Sequence, residues 1–156
     1  MQPYGAGPAK IGSIVEGGAR QGQKVLSRFY DNTPALSRLM EKVKKVANKG
    51  YVPGLDGRRI IVRSEHAALN SLLQGCGAII AKQWCIEAHK QFKRFHLPVR
   101  QVAFVHDEIQ IETEEKYSED VATIMVDSAR KAGLTLGFRC PVDAESKIGK
   151  TWFDTH

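Results

Sequence analysis

Apolar residues crowd the stretch from Glu65 to Phe92. Ala67, Ala68, Leu69, Leu72, Leu73, Cys76, Ala78, Ile79, Ile80, Trp84, Cys85 and Ile86 cover most of a helical surface. A helix that is apolar nearly all round is central to its domain. Ser64 stands where a cap belongs, and Gly75 and Gly77 permit a close neighbour. Upstream, Lys10 to Tyr30 reads as helix broken near Gly17-Gly18, and Asn32-Thr33-Pro34 as a capped start to a helix reaching about Asn48. Gly50 ends that helix. Tyr51 to Arg63 reads as two short strands around an Asp56-Gly57 turn. Downstream of the long helix, Pro98 introduces a strand at Val99 to Val105, returning through Ile109 to Glu112 as an antiparallel hairpin. Ser118, with Glu119 and Asp120 in the first turn, caps a helix to about Leu136. Arg139 to Glu145 reads as a last strand. The pattern predicts an α+β fold, helices first and then a small antiparallel sheet with a helix on it. The expected division falls at the start of the long helix, into residues 1–64 and 65–156.

Two departures from the apolar pattern carry candidate chemistry. On the long helix His66, Asn70 and Gln74 fall at i, i+4 and i+8 and share one narrow face. Their heads donate or accept without an obligatory charge. Such a row is either the wet edge of a buried helix or a set of donors for the minor groove of a duplex. There every base pair presents acceptors, so pairing is checked without reading sequence. The spacing alone does not choose. At the hairpin tip stand His106, Asp107 and Glu108. Charged tip residues are commonly just solvated, but a carboxylate at the end of a stiff strand also suits Mg²⁺, which demands oxygen ligands in a rigid arrangement.

The chain has 156 residues, enough for a sizeable core, with 42% hydrophobic and 26% charged residues, an ordinary globular balance. No apolar run is long enough to span a bilayer and no secretory signal pattern opens the chain. Cys76, Cys85 and Cys140 are odd in number and lack metal-pair spacing, so they read as reduced thiols and a cytoplasmic setting. The net charge of +6 is unevenly held: residues 1–60 contain 11 Lys+Arg against 4 Asp+Glu, and residues 61–156 contain 12 against 13. Arg38, Lys42, Lys44, Lys45 and Lys49 are the densest run. They form either a solvated helix face or a row of phosphate contacts with salt-dependent binding.

The string His66-Ala67-Ala68-Leu69-Asn70-Ser71-Leu72-Leu73-Gln74-Gly75, followed by Val105-His106-Asp107-Glu108, resembles the C-terminal part of a family A DNA polymerase, and within that family the replicative branch of short-tailed bacteriophages. Tyr4-Gly5-Ala6-Gly7 is similar to the end of the nucleotide-binding motif in the fingers, Gly54-Leu55-Asp56-Gly57-Arg58 to the turn before the long helix, and Trp152 to His156 to the terminal segment. The resemblance covers essentially the whole chain, as the rest of the fingers followed by the second half of the palm.

The resemblance implies that Asp107 is a catalytic metal ligand for Mg²⁺ and Glu108 a supporting carboxylate near the primer end. It implies that His106 touches the primer terminus, and that Asn70 and Gln74 contact the nascent pair and primer, with His66 on the same face. Tyr4 would stack on the template side, His156 would lie near the palm, and Lys42, Lys44, Lys45, Lys49 and Arg58 would meet phosphates. The partners implied are primer–template DNA, dNTP and the upstream polymerase polypeptide, in a bacterial or phage-infected cytoplasm. The family's other catalytic aspartate, and the arginine and lysine that grip the triphosphate, have no counterparts in this sequence. Gln2-Pro3 also stands where apolar residues precede Tyr-Gly, and Pro3 would break a helix interior. The expectation is therefore a polymerase part, either a split subunit or a fragment, inactive without its upstream half and self-associating in its absence. Two rival readings are a non-catalytic DNA-binding remnant and a metal-dependent phosphohydrolase using His106 and Asp107.

Overall fold

The computed structural model describes residues 7–155, apart from the side chains of residues 65 and 66. The chain forms two compact units that divide between Gly75 and Cys76, inside the long helix.

In the first unit, α1 (Pro8–Ile14) and α2 (Ala19–Asn32) form a tight helical pair. α3 (Pro34–Ala47) follows at once. Pro34 takes the first helical position, where its missing N–H costs nothing. Thr33 does not cap it as expected: its hydroxyl donates to the Phe29 carbonyl at 2.6 Å, serving the end of α2 instead. Gly50, at φ +82°, ends the helical stretch in a conformation that a side chain disfavours. β1 (Tyr51–Pro53) and β2 (Arg59–Ile61) pair antiparallel as predicted, Tyr51 opposite Ile61. α4 (Glu65–Arg94) is the long helix, its start capped by Ser64, whose Oγ accepts from the Ala67 N–H at 3.2 Å. Met40, Val43 and Ala47 from α3, Val52, Val62, and Ala68 and Leu69 from α4 close the core of this unit. Leu69 is 1% exposed, a burial worth about 1.5–3 kcal/mol.

The second unit holds the rest of α4, then β3 (Val99–Val105), β4 (Glu108–Thr113) and α5 (Ser118–Thr135). Ala88 and Phe92 of α4 meet Val121 and Met125 of α5, with Val99, Ile109 and Ile111 of the hairpin packed against them. The Trp84 indole donates to the Met125 carbonyl at 2.7 Å. Ser118 does not cap as expected. A 3-10 turn at Glu115–Tyr117 precedes α5, and the Ser118 hydroxyl donates to the Glu115 carbonyl at 2.8 Å. The strand expected at residues 139–145 is absent. Pro141 has no N–H for a ladder, Asp143 is held by Arg130 at 2.9 Å, and Val142 sits where a Cβ on Gly133 of α5 would meet it at 2.8 Å. The segment is an irregular arm tied to α5.

The carboxylate of Glu87 is buried, with its side chain 3% exposed. Gln83 and Lys90 donate to its Oε1 at 3.0 and 2.9 Å, and the Lys131 ammonium of α5 lies 3.0 Å from Oε2. The Lys90 hydrogen bond, with help from Lys131, holds this carboxyl below its ordinary 4.5 against the opposing effect of burial. A carboxyl depressed by folding contributes stability in full above its unfolded pKa and loses it as pH falls through the folded value. Glu87→Gln should therefore lower the urea midpoint at neutral pH and flatten its decline below pH 4.5. An equally steep acid decline in the variant would assign the acid sensitivity to other groups.

Candidate active-site hairpin and nucleic-acid face

β3 and β4 pair antiparallel down to Val105 opposite Glu108, which leaves His106 and Asp107 as a two-residue tip. The register slips between Gln101 and Ala103, so Val102 is an extra residue in β3. Such a bulge sharpens the local twist and re-aims the strand end. Beyond it Phe104 pairs with Ile109, and Ala103 with Gln110.

His106 adopts φ +55°. Two-residue hairpin loops favour a positive φ at this position, normally filled by glycine or asparagine. An imidazole there is uncommon, and such strained positions cluster at functional sites. His106 and Asp107 are exposed, and Glu108 is half-buried. The Gln110 amide donates to the Glu108 carboxylate from the same face of β4. Glu108 is thus oriented by a strand neighbour, while Asp107 belongs to the turn.

Hard carboxylate oxygens are the donors that Mg²⁺ selects. It keeps several waters and takes one or two carboxylates together with substrate phosphates, so Asp107 fits the role of a single anchor. Among the described residues no three His, Cys, Asp or Glu side chains gather to hold a metal ion. The phosphohydrolase reading therefore gains no ligand set.

On α4, Asn70 and Gln74 are exposed, on the face turned from Ala68, Leu69 and Leu72. Leu73, which the apolar pattern assigned to the buried surface, is 40% exposed beside them. Its spacing of three from Asn70 was the available signal. The His66 side chain, Tyr4 and His156 lie outside the described residues. On α3, Lys42 and Lys45 are exposed with Arg38, opposite the buried Met40, Val43 and Ala47, Lys44 is half-buried, and Lys49 is exposed in the turn beyond the helix. Arg58 is ion-paired with Asp56 at 2.6 Å, and that pairing lowers the Asp56 pKa. Arg58 is therefore a poorer phosphate contact than the α3 lysines. Burial raises the pKa of the Cys76 and Cys85 thiols, which keeps them protonated and unreactive. No helix among the described residues is long and apolar enough to cross a membrane.

The DNA-directed DNA polymerase of Escherichia phage T7 is 35% identical over 98% of this chain and 25% of its own length. The DNA polymerase I of Aquifex aeolicus is 33% identical over 92% of the chain and 26% of its own length. The chain thus spans about a quarter of these curated relatives. The POL domain of Pol1 from M. smegmatis, solved in complex with DNA primer-template and dNTP, superposes with a TM-score of 0.84 over 97% of this chain and 29% of that one, at 21% identity. That likeness establishes the shared fold. The sequence pattern of DNA polymerase family A matches residues 3–154, and the chain is a member of that family.

Proposed function

We propose that this chain is the C-terminal part of a DNA-directed DNA polymerase, with residues 1–64 completing the fingers and residues 65–156 forming half of the palm. The observation that carries the reading is the His106-Asp107 tip, held at the end of a bulged hairpin with Glu108 braced by Gln110. Asp107 would anchor a divalent ion, Mg²⁺ in the first instance. When bound, such ions stabilise the attacking and leaving oxygens of an in-line phosphoryl transfer. Glu108 would support the primer end, and His106 would touch the primer terminus. Asn70 and Gln74, with His66 on the same face, would offer donors to the minor groove. Tyr4 would stack on the template, His156 would lie near the palm, and Lys42, Lys44, Lys45 and Lys49 would meet phosphates.

Nucleotide addition needs at least two carboxylate anchors and positive groups on the triphosphate. This chain would supply one anchor, and an upstream polypeptide the rest. The exposure of Val102 (54%), Phe104 (39%) and Val105 (47%) on β3 supports such a partner. Uncovered apolar strand surface of this kind favours association, and self-association where the partner is missing. Primer extension with Mg²⁺ tests the reading. The chain alone should extend nothing, and its mixture with a polypeptide bearing the upstream palm and fingers should extend a primer. Extension by the chain alone, or a mixed complex that binds dNTP and primer–template without extending, would overturn it.

A further inference from the structure

Lys82, Ile86, His89 and Lys93 follow one another at spacings of four, three and four along α4, and so share one face of its second half. All four are exposed. Ala81, Ala88 and Phe92 are buried on the opposite face, where Ala88 and Phe92 pack on α5. The exposed face lies wholly within the second unit. The charge of that unit is segregated. Residues 76–106 hold five Lys+Arg and one acid, Glu87, while residues 107–156 hold six Lys+Arg and eleven acids. Glu87 is buried and already taken by Lys90 and Lys131. Lys116 and Arg130 are also paired with acids. Lys82, Lys93 and Arg94 have no ion-pair partner among the described residues. A unit with carboxylates in excess thus leaves these three cations without one.

Apolar surface lies among the cations. Ile86, inside the row, is 49% exposed, and Phe95, at its end, 57%. The Arg94 guanidinium lies over the Phe95 ring, 5.5 Å from its centroid, so that ring face is closed to a stacking base. A phosphate backbone would meet the cations but gain nothing from Ile86. An acidic peptide gains from both. Its carboxylates meet Lys82, Lys93 and Arg94, and an apolar side chain between them covers Ile86. The row from Lys82 to Lys93 runs roughly 16 Å along the helix axis, the reach of about five extended residues. Alternate residues of an extended segment face the same way, about 6.6 Å apart, close to the ~6 Å of one four-residue step along the helix. We propose that this face of α4 docks an extended acidic segment of a partner protein, with an apolar residue set between its acids. Capture of acidic motifs by clustered cations is a recurrent mode of peptide recognition.

Fluorescence anisotropy tests it, with the full 156-residue chain and a labelled peptide of Asp and Glu around a central Phe. The triple variant Lys82→Gln, Lys93→Gln, Arg94→Gln should weaken peptide binding roughly tenfold, three exposed ion pairs being lost, and flatten its dependence on salt. All three positions are exposed, so the variant should fold as wild type does. Ile86→Ser should weaken binding about threefold, the order expected of an apolar side chain left partly uncovered, with the salt dependence unchanged. Arg20→Gln, Lys24→Gln, Arg28→Gln on α2 removes the same charge from exposed positions of the first unit and should leave the affinity within about twofold of wild type, since screening confines exposed charges to roughly 10 Å. An α4-variant affinity within twofold of wild type overturns the proposal. An equal loss in the α2 variant also overturns it, since net charge alone would then govern binding. A blunt DNA duplex, or vesicles of anionic lipid, that bind more tightly than the peptide and lose as much to the α4 variant overturn it in favour of phosphate or membrane contact. Loss of peptide binding on adding the upstream polymerase polypeptide overturns it too, the face then being internal to the assembled enzyme. Primer extension plays no part in these readouts, so this proposal and the polymerase reading fail separately.

Discussion

Asp107→Ala should cut primer extension by the reconstituted polymerase roughly a thousandfold or more, while leaving the complex assembled. Anchoring a divalent ion against developing charge contributes several kcal/mol to the transition state, and each 1.36 kcal/mol is a factor of ten in rate. Asp107 is exposed in a turn, outside both core clusters. Its loss should move stability by no more than about 0.5 kcal/mol, as for other surface changes. Asp107→Asn keeps the shape and removes the charge, so it should fall nearly as far. Glu108→Gln should cost less, about tenfold, because an amide still accepts from Gln110 and only the supporting charge is lost. Single-turnover extension rates on a saturating primer–template would read these effects. An Asp107→Ala enzyme within tenfold of wild type would remove Asp107 from the metal site.

The parts of the fold legible in the sequence were those written in local periodicity. α4 declares itself by apolar density and by Ser64, and the hairpin by alternation on both sides of its tip. What escaped was set by partners in space. The bulge at Val102 leaves no local mark, since one extra apolar residue in an alternating run looks like the run itself. Residues 139–145 carry a strand-like pattern, but Arg130 and Gly133 of α5 take up Asp143 and Val142. Thr33 and Ser118 are good cap residues whose hydroxyls found nearer carbonyls. For the candidate site, the residue types at the tip were legible. The left-handed backbone of His106 and the Glu108–Gln110 brace were not, because both follow from the register of the hairpin.

The α1–α2 contact carries the largest stability effect expected of a single methyl group. Gly22→Ala would place a Cβ 1.9 Å from the Pro8 carbonyl oxygen and 2.6 Å from the Gly12 nitrogen. Both are backbone atoms, so no rotamer relieves the clash and the helices must separate. Gly12 faces the same limit from the other side, its Cβ falling 2.4 Å from the Gly18 carbonyl oxygen. Alanine's better helix propensity would return only about 1 kcal/mol, against about 1–3 kcal/mol or more for forcing a packed backbone apart. α1 is only 7 residues long, too short to persist alone, so separation should melt it. Hydrogen exchange should show protection lost across α1 and the start of α2, with α4 and α5 unchanged. Tyr4 stands four positions ahead of Pro8 in the sequence, so if it has the template role proposed above, the reconstituted enzyme should also bind the templating base less well, raising KM for dNTP more than it lowers kcat. Retained α1 protection would mean that the helices slide apart without unfolding, and the predicted KM effect should then vanish with the melting that causes it.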